Sequence, residues 1–298
     1  MNTINASIQE LIALRKNAKS IRLNKLKKSA ASLSGAQKSL IRGRGIDFEE
    51  VRVYQHGDDI RNMDWRVTAK TGKAHTKIYC EDKEKPFYII TDLSKSMQFG
   101  TKVTFKSVMA QWCSALLIWS AIDNGHRIGG SIIGLEKTLH LKLSSGQKAA
   151  LQFLSQLYKL NKNHSDVNNP QSLSNTLKFH RRSLKPGSSV FILSDFYDWN
   201  KDLEQQLSAI AKFNDINLIF IYDPLEEKAP KAGVYCVIED TKVFKFDSRL
   251  KKLRKAYSRE HKEKLLTINN FCLKHRINFI PIATHMDYCK LLEQVNVK

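Results

Sequence analysis

A run of short oxygen-bearing side chains follows an apolar segment in the first third of the sequence. Asp92, Ser94 and Ser96 occupy every second position directly after the apolar run Phe87–Thr91. In a loop at a strand end, this spacing can direct all three side chains toward one point. Mg²⁺ prefers oxygen ligands in octahedral geometry and keeps some of its waters. The pattern therefore predicts a metal site; the alternative is that both serines cap a helix or a turn.

Two further segments carry candidate ligands for the same site. Asp195 follows a second apolar run, 189–193, and can reach the same crevice. Ser144 and Ser145 precede Gly146 and a predicted helix, and we expect one of them to supply an additional hydroxyl. Two neutral hydroxyls would leave the ion able to accept a carboxylate from outside the chain.

The elements that must position these residues alternate between strands and helices from Pro86 onward. Strands are predicted at 87–91, 127–133, 189–193, 217–222 and 278–283, and helices at 103–123, 147–158, 171–184, 203–213, 250–275 and 288–295. Such alternation predicts a mostly parallel sheet with helices on both faces. Ligands of these sheets bind outside the carboxyl ends of the strands, where Asp92, Asp195 and Asp223 fall.

Three regions follow from the change of pattern along the chain. Residues 1–40 are predicted to be a basic helical arm, and residues 41–85 a β-rich segment punctuated by glycines. Residues 86–298 form the predicted α/β domain. A hairpin insertion is predicted near residues 225–247, with strands at 234–238 and 242–246.

Two motifs resemble known families. The run from Asp92 to Ser96 resembles the metal-ion-dependent adhesion site of von Willebrand factor A domains. The stretches 43–54 and 57–66 resemble the signature of a bacterial family catalogued as domain of unknown function 58. The resemblance implies a three-layer, von Willebrand A-like (Rossmann-like) α/β domain with a mostly parallel central sheet, plus a small β-rich accessory segment.

The resemblance also implies a function and a set of site residues. Members of the family are often encoded beside MoxR-type AAA+ ATPases, which implies a metal-dependent adaptor rather than an enzyme. The partner would be that ATPase, or a client that offers an Asp or Glu to Mg²⁺ or Mn²⁺. Asp92, Ser94 and Ser96 match the first adhesion-site motif and Asp195 its later aspartate. The second-loop threonine has no clear match, and Ser144 or Ser145 is the substitute.

The signature segment has a physical interpretation of its own. Its charged residues are predicted to form a salt-bridge lattice, since Arg can bind carboxylates through two hydrogen bonds. The alternative is a hydrolase in which the aspartates bind metal. Trp65 is predicted to lie in the core. The remaining residues of the segment are Arg52, Asp58, Asp59, Arg61, Asp64 and Arg66.

Composition adds bounds on the class of protein. The 298 residues carry a net charge of +20, which favours acidic partners and leaves nucleic-acid or anionic-surface binding as an alternative function. Five scattered cysteines favour a reducing compartment over a disulfide framework or a zinc site. No signal peptide or membrane span is predicted, and family members with membrane helices differ from this chain, so we expect a soluble cytoplasmic protein. A hydrolase that uses Asp92 and Asp195 is a second alternative, although no general base is apparent.

Overall fold

A six-stranded sheet forms the centre of the larger of two units. The computed structural model describes residues 5–18, 46–81, 85–162, 172–239 and 242–288. Residues 1–27 and 85–298 form the larger unit, here called the α/β unit, and residues 28–84 form the hairpin unit.

The helices and strands are as follows. The helices are α1 (Ile8–Ala13), α2 (Arg15–Ala18), α3 (Trp65–Thr71), α4 (Lys106–Asp123), α5 (Gly146–Lys162), α6 (Leu173–Ser183), α7 (Lys201–Ala211), α8 (Pro224–Glu227) and α9 (Lys251–His275). The strands are β1 (Ile46–Val53), β2 (His75–Glu81), β3 (Pro86–Asp92), β4 (Arg127–Ile133), β5 (Thr138–Ser144), β6 (Ser189–Ser194), β7 (Asp215–Tyr222), β8 (Val234–Glu239), β9 (Lys242–Asp247) and β10 (Asn278–Ala283).

The strand order places the carboxyl ends of β3 and β6, which are parallel neighbours in the sheet, side by side. The sheet runs β10-β7-β6-β3-β4-β5, and every neighbouring pair is parallel except β4 with β5. Counted along the α/β unit, this is the doubly wound order 3-2-1-4-5-6, in which the order reverses between the first and fourth strands. The predicted Rossmann-like α/β fold with a mostly parallel central sheet is confirmed. The reversal falls between β3 and β6, the strands that lead to Asp92 and Asp195.

Helices cover both faces of the sheet, so its central strands are apolar on both sides. Along β3, Phe87 and Ile89 face one core, and Tyr88 and Ile90 face the other. The first core is closed by α1, α2, α4 and α5, and the second by α6, α7 and α9. Helix α4 is the most enclosed, since every residue from Lys106 to Ala121 is buried.

The described part of the predicted N-terminal arm packs against α4. Leu11 is buried, and its carbonyl oxygen accepts a hydrogen bond of 3.0 Å from Trp119 Nε1. Arg15 forms an ion pair of 2.9 Å with Asp123 and stacks over the ring of Trp119. Residues 5–18 therefore form part of the α/β unit, while residues 19–40 of the predicted arm lie outside the described residues.

One strand of the sheet was not predicted, and one predicted helix cannot be compared. Strand β5 is antiparallel to β4 and lies at the edge of the sheet. Its alternation of Leu139, Leu141 and Leu143 with polar residues is typical of an edge strand with one covered face. The hairpin of β8 and β9 confirms the predicted insertion. The predicted helix 288–295 lies outside the described residues except for its first residue, Tyr288.

The hairpin unit uses its carboxylates for local structure. Asp58 Oδ1 forms an ion pair of 2.7 Å with Arg52, as the predicted lattice requires. Asp59 instead caps a 3-10 helix, Ile60–Asn62, by accepting from the backbone of Arg61. These carboxylates have structural partners, which weakens the alternative of a metal-dependent hydrolase here.

Helix α3 of the same unit corrects two expectations. Asp64 caps α3 through the backbone amides of Arg66 and Val67 rather than joining an arginine lattice. The prediction that Trp65 lies in the core is wrong, because its side chain is 67% exposed. Trp65 is the first residue of α3, and the side of α3 that is turned inward carries Val67 and Thr68 instead.

A buried serine links two histidines beneath α6. Ser131 Oγ lies 2.7 Å from His140 Nδ1 and 2.6 Å from His180 Nε2. Since one hydroxyl carries one proton, Ser131 donates to one imidazole and accepts from the other. Burial, assisted by the neighbouring His140, lowers the pKa of His180 to about 4. The cluster thus requires a neutral His180.

We expect acid to destabilise the α/β unit through His180. The unfolded chain takes up a proton near pH 6.5 and the folded chain only near its lowered pKa of about 4. Stability is therefore fully present above about pH 6.5 and is lost as the pH falls toward 4, by about 2 kcal/mol at pH 5. Urea unfolding at pH 7 and pH 5 measures the loss. His180→Gln should reduce it, whereas His56→Gln at an exposed position should not; equal losses in both variants would contradict the assignment.

Candidate metal centre

Asp92 and Asp195 meet at the point where the strand order reverses. Asp92 is the last residue of β3, Asp195 follows β6, and these two strands are hydrogen-bonded neighbours. Asp92 is 6% exposed and Asp195 is 3% exposed. The structure therefore brings together the two carboxylates that the sequence analysis selected.

Ser94 and Ser96 bring their hydroxyls to the same place. Ser96 Oγ donates to Asp195 Oδ1 over 3.1 Å and lies 3.4 Å from Ser94 Oγ. Ser94 precedes the 3-10 helix Lys95–Met97, yet its side chain makes no capping hydrogen bond. Helix capping, the alternative role considered for Ser94, is thus not its role. The spacing of these oxygens is close to the ~3 Å between neighbouring oxygens around an octahedral Mg²⁺.

The end of β6 and the turn after it donate a hydrogen bond to each of the two carboxylates. Tyr197 N donates to Asp195 Oδ1 over 3.1 Å, and Ser194 Oγ donates to Asp92 Oδ2 over 2.6 Å. This turn requires a positive φ of 45° at Phe196, a conformation that costs a non-glycine residue roughly 1–3 kcal/mol. Backbone strain of this kind concentrates at functional sites.

The pKa of Asp92 is raised above its usual value. Burial is the main cause, and the nearby charge of Asp195 adds to it. Hydrogen bonds from Ser194 and Ser94 act in the opposite direction without reversing the shift. The site thus holds two buried carboxylates that repel each other, and a divalent cation between them would relieve that repulsion.

Lys106 is a residue of the site that the sequence analysis missed. It is the first residue of α4 and only 2% exposed, and its Nζ lies 2.7 Å from both Asp195 Oδ2 and Glu226 Oε1. Burial alone would lower the pKa of Lys106, but the charges of Asp195 and Glu226 outweigh it and raise that pKa. The sequence signal that could have identified Lys106 is a lysine in the first turn of the long apolar helix, because a buried lysine is almost always paired with an opposite charge.

Asp223 at the end of β7 has a structural task. Its carboxylate accepts from Thr101 and Thr284, and it forms a capping box with Glu226 at the start of α8. Burial acts to raise the pKa of Asp223, but the hydrogen bonds that it accepts outweigh burial, so the pKa is lowered. Asp223 thereby fixes Glu226, which in turn holds Lys106 against Asp195.

The assignment of Ser144 and Ser145 to the site is wrong. Strand β5 runs antiparallel, and Ser144 pairs with Ile128 near the start of β4, whereas Asp92 pairs with Ile133 at its end. The five residue steps from Ile128 to Ile133 span roughly 16 Å. Both serines therefore lie near the amino ends of the parallel strands, away from Asp92.

Helix α5 returns the chain from the amino ends of the parallel strands to the site. Near its carboxyl end, Asn161 accepts a hydrogen bond of 3.1 Å from Gln98, which follows the 3-10 helix of Ser96. Gln98 also donates to the carbonyl oxygen of Leu93. Residues 163–171, which come next, lie outside the described residues. Within the described residues no cluster of three or more His, Cys, Asp or Glu side chains suited to a metal occurs, so the candidate ligands are two carboxylates and two hydroxyls.

We expect the buried pair of Lys106 and Asp195 to be strongly coupled. Lys106→Met leaves two carboxylates without their cation and should cost about 3–5 kcal/mol in the free energy of unfolding. Adding Asp195→Asn should recover part of that loss, because it removes one unpaired charge. Urea unfolding of both single variants and the double variant gives the coupling energy.

The exposed pair of Lys178 and Asp202, 3.0 Å apart, provides the matched control. Lys178→Met should cost less than about 1 kcal/mol, since exposed ion pairs contribute little. Additive losses at Lys106 and Asp195 would show that the two side chains do not act as a pair.

Two curated relatives have similar sequences. An uncharacterized protein of Mycobacterium tuberculosis (strain ATCC 25618 / H37Rv) is 28% identical over 204 residues, which are 67% of this chain and 62% of the relative. An uncharacterized protein of Mycobacterium bovis (strain ATCC BAA-935 / AF2122/97) matches with the same values. The chain therefore spans less than two thirds of the length of these relatives.

Solved structures that match part of this chain include three from bacteria. The conserved hypothetical protein BatB from Bacteroides thetaiotaomicron is 14% identical with a TM-score of 0.46, over 71% of this chain and 96% of that chain. An aerotolerance-related membrane protein from Bacteroides fragilis NCTC 9343 is 14% identical with a TM-score of 0.47, over the same shares. A von Willebrand factor type A structure from Catenulispora acidiphila is 18% identical with a TM-score of 0.34, over 50% and 36%.

The family assignment comes from the sequence match. Residues 50–265 match one family model, and this range takes in the signature segment from residue 50 onward, β3, β6 and both aspartates of the candidate metal centre. The match covers well over half of the chain. The chain belongs to the family described as "Protein of unknown function DUF58".

Proposed function

We propose that this chain is a metal-dependent protein-interaction module. Asp92, Ser94, Ser96 and Asp195 would hold Mg²⁺ or Mn²⁺, and a carboxylate of a partner protein would complete the coordination. The observation that carries the proposal is the convergence of four oxygen-bearing side chains from two neighbouring strand ends at the switch point of the sheet. Ligands of doubly wound sheets bind at this point.

The charges around Asp195 do not balance. Asp92, Asp195 and Glu226 are three carboxylates, and Lys106 and Lys264 are two ammonium groups beside them. A bound cation would offset the negative charge that remains, and the oxygen-bearing side chains are ligands that Mg²⁺ prefers. Because the hydroxyls of Ser94 and Ser96 are neutral, the ion would keep its attraction for an outside carboxylate.

A cleft beside Asp195 gives a partner access. It has a volume of about 240 Å³, and its lining includes Asp195, Tyr197, Tyr257 and Lys264. Ser94 and Ser96 are half-buried rather than enclosed. Tyr197, at 70% exposure, offers the kind of aromatic surface that is enriched in protein interfaces.

The partner we propose is a MoxR-type AAA+ ATPase, or a client protein that presents an Asp or Glu. Among the described residues, none of the helices is long and apolar enough to span a membrane. Cys113 and Cys272 are buried free thiols, as suits a protein kept in a reducing compartment. We propose that the module works in the cytoplasm and that it is not an enzyme.

Mg²⁺ should stabilise the wild-type chain and not Asp92→Asn. At a Mg²⁺ concentration about ten times its Kd, binding adds about 1.4 kcal/mol to the free energy of unfolding. Without metal, Asp92→Asn should be as stable as wild type or more so, because it removes the repulsion from Asp195. Urea unfolding with Mg²⁺ or EDTA measures both effects, and Asp202→Asn on α7 is the control. An equal Mg²⁺ effect in Asp92→Asn would exclude this site.

Capture of the partner should depend on the same residue and on metal. With the immobilised chain and a purified MoxR-type ATPase, we expect EDTA or Asp92→Asn to reduce the captured ATPase at least tenfold. Asp202→Asn should capture as wild type does. Capture that withstands both EDTA and Asp92→Asn would show that the ATPase binds elsewhere, and loss in Asp202→Asn as well would indicate a general charge effect.

A further inference from the structure

The first half of α9 carries a continuous surface of positive charge. Successive residues of a helix are about 100° apart, so cations three, four, seven, eight and eleven positions apart share one side. The cations that define this surface, here called the basic face, are Lys251, Lys252, Arg254, Lys255, Arg259 and Lys262. Ser258 lies among them, and its short side chain leaves a shallow groove lined by five of the cations.

Little negative charge opposes the basic face. Glu260 falls on the other side of the helix from Lys251, Lys255 and Lys262 at this angular spacing. Among the described residues, the ion pair on the face joins Arg259 to Glu263 over 3.4 Å, with both side chains at least two-thirds exposed. Such an exposed pair contributes little free energy and is readily exchanged for another anion.

The first half of α9 also stands clear of the core. Residues 251–256 are exposed apart from the half-buried Arg254. Burial of α9 begins at His261 and continues at Ile268 and Cys272, where the helix packs on the sheet. A large anion can therefore approach the basic face without meeting the body of the α/β unit.

We propose that the basic face binds double-stranded nucleic acid through its phosphate backbone. From Lys251 to Lys262 the face is about 17 Å long, and a helix about 10–12 Å wide matches the ~12 Å major groove. The cations recur at each turn of the helix, as a repeating row of phosphates requires. Asn and Gln, the side chains that read adenine, do not occur between Lys251 and Lys262, and we assign the cations of the face to phosphates.

An anionic membrane fits the same surface less well. A helix that lies on a membrane needs apolar residues opposite its cations along the same length. Between Lys251 and Lys262 the exposed large apolar side chain is Leu253, a single residue rather than a stripe, and the exposed Leu266 and Leu273 come after Lys262. Helix α9 carries none of the candidate metal ligands, but its Tyr257 and Lys264 line the cleft beside Asp195, so the basic face is tested without metal.

The strength and salt dependence of the binding follow from the number of cations. Each phosphate contact adds about 0.9 to the slope of log affinity against log salt. Five contacts then predict an affinity loss of about 500-fold between 50 mM and 200 mM salt.

The test is fluorescence anisotropy with a labelled 24-base-pair DNA duplex, in EDTA. One variant replaces Lys251, Lys255, Arg259 and Lys262 by Gln, which preserves helix propensity. The control variant replaces Lys137, Lys142, Lys148 and Lys159, four exposed lysines outside α9, by Gln. Both variants have the same net charge, and circular dichroism confirms that both are folded.

We expect the α9 variant to lose about 100-fold or more in affinity at 50 mM salt and about 3.6 in salt slope, and the control to lose less than fivefold. Equal losses in the two variants would overturn the proposal, since binding would then follow net charge alone. Absence of duplex binding at 50 mM salt would also overturn it, and so would binding to phosphatidylserine vesicles in place of DNA. Asp92→Asn should bind the duplex as wild type does, which separates this result from the fate of the metal site.

Discussion

The burial of Asp195 beside Asp92 is the constraint on which the site depends. An unpaired carboxylate in a dry environment would be unstable, so each oxygen of Asp195 needs donors. Ser96 Oγ and the backbone amide of Tyr197 donate hydrogen bonds to Oδ1 of Asp195, and Lys106 Nζ donates to Oδ2. The 3-10 helix, the strained turn after β6 and the first turn of α4 are therefore all tied to one side chain.

Much of the fold could be predicted because its central strands are buried on both faces. Residues such as Ile89 and Ile90 fill opposite cores, and a continuous apolar run is the sequence pattern of such a strand. The edge strand β5 has a weaker sequence pattern and was not predicted. Because β5 runs antiparallel to β4, it carries Ser144 to the amino ends of the parallel strands, whereas Ser144 was expected at their carboxyl ends.

The charged residues of the site were predictable only in part. Asp92 and Asp195 were found because each directly follows an apolar run. Lys106 was not, since its partners lie 89 and 120 residues away and no local spacing connects them. The signature segment shows the converse: Asp59 and Asp64 bond to backbone amides within three residues, and such short-range caps compete with any reading of a charged cluster as a lattice or a metal site.

The balance between carboxylates and hydroxyls would allow the proposed metal site to fold without its ion. Lys106 pairs with Asp195 and Glu226, while the pKa of Asp92 is raised mainly by burial and further by repulsion from Asp195. Replacing Ser94 or Ser96 by a further carboxylate would increase that repulsion in the metal-free chain and weaken the attraction of a bound ion for a partner. Two hydroxyls avoid both effects, so the same choice of residues favours a stable metal-free fold and an ion that still seeks an outside carboxylate.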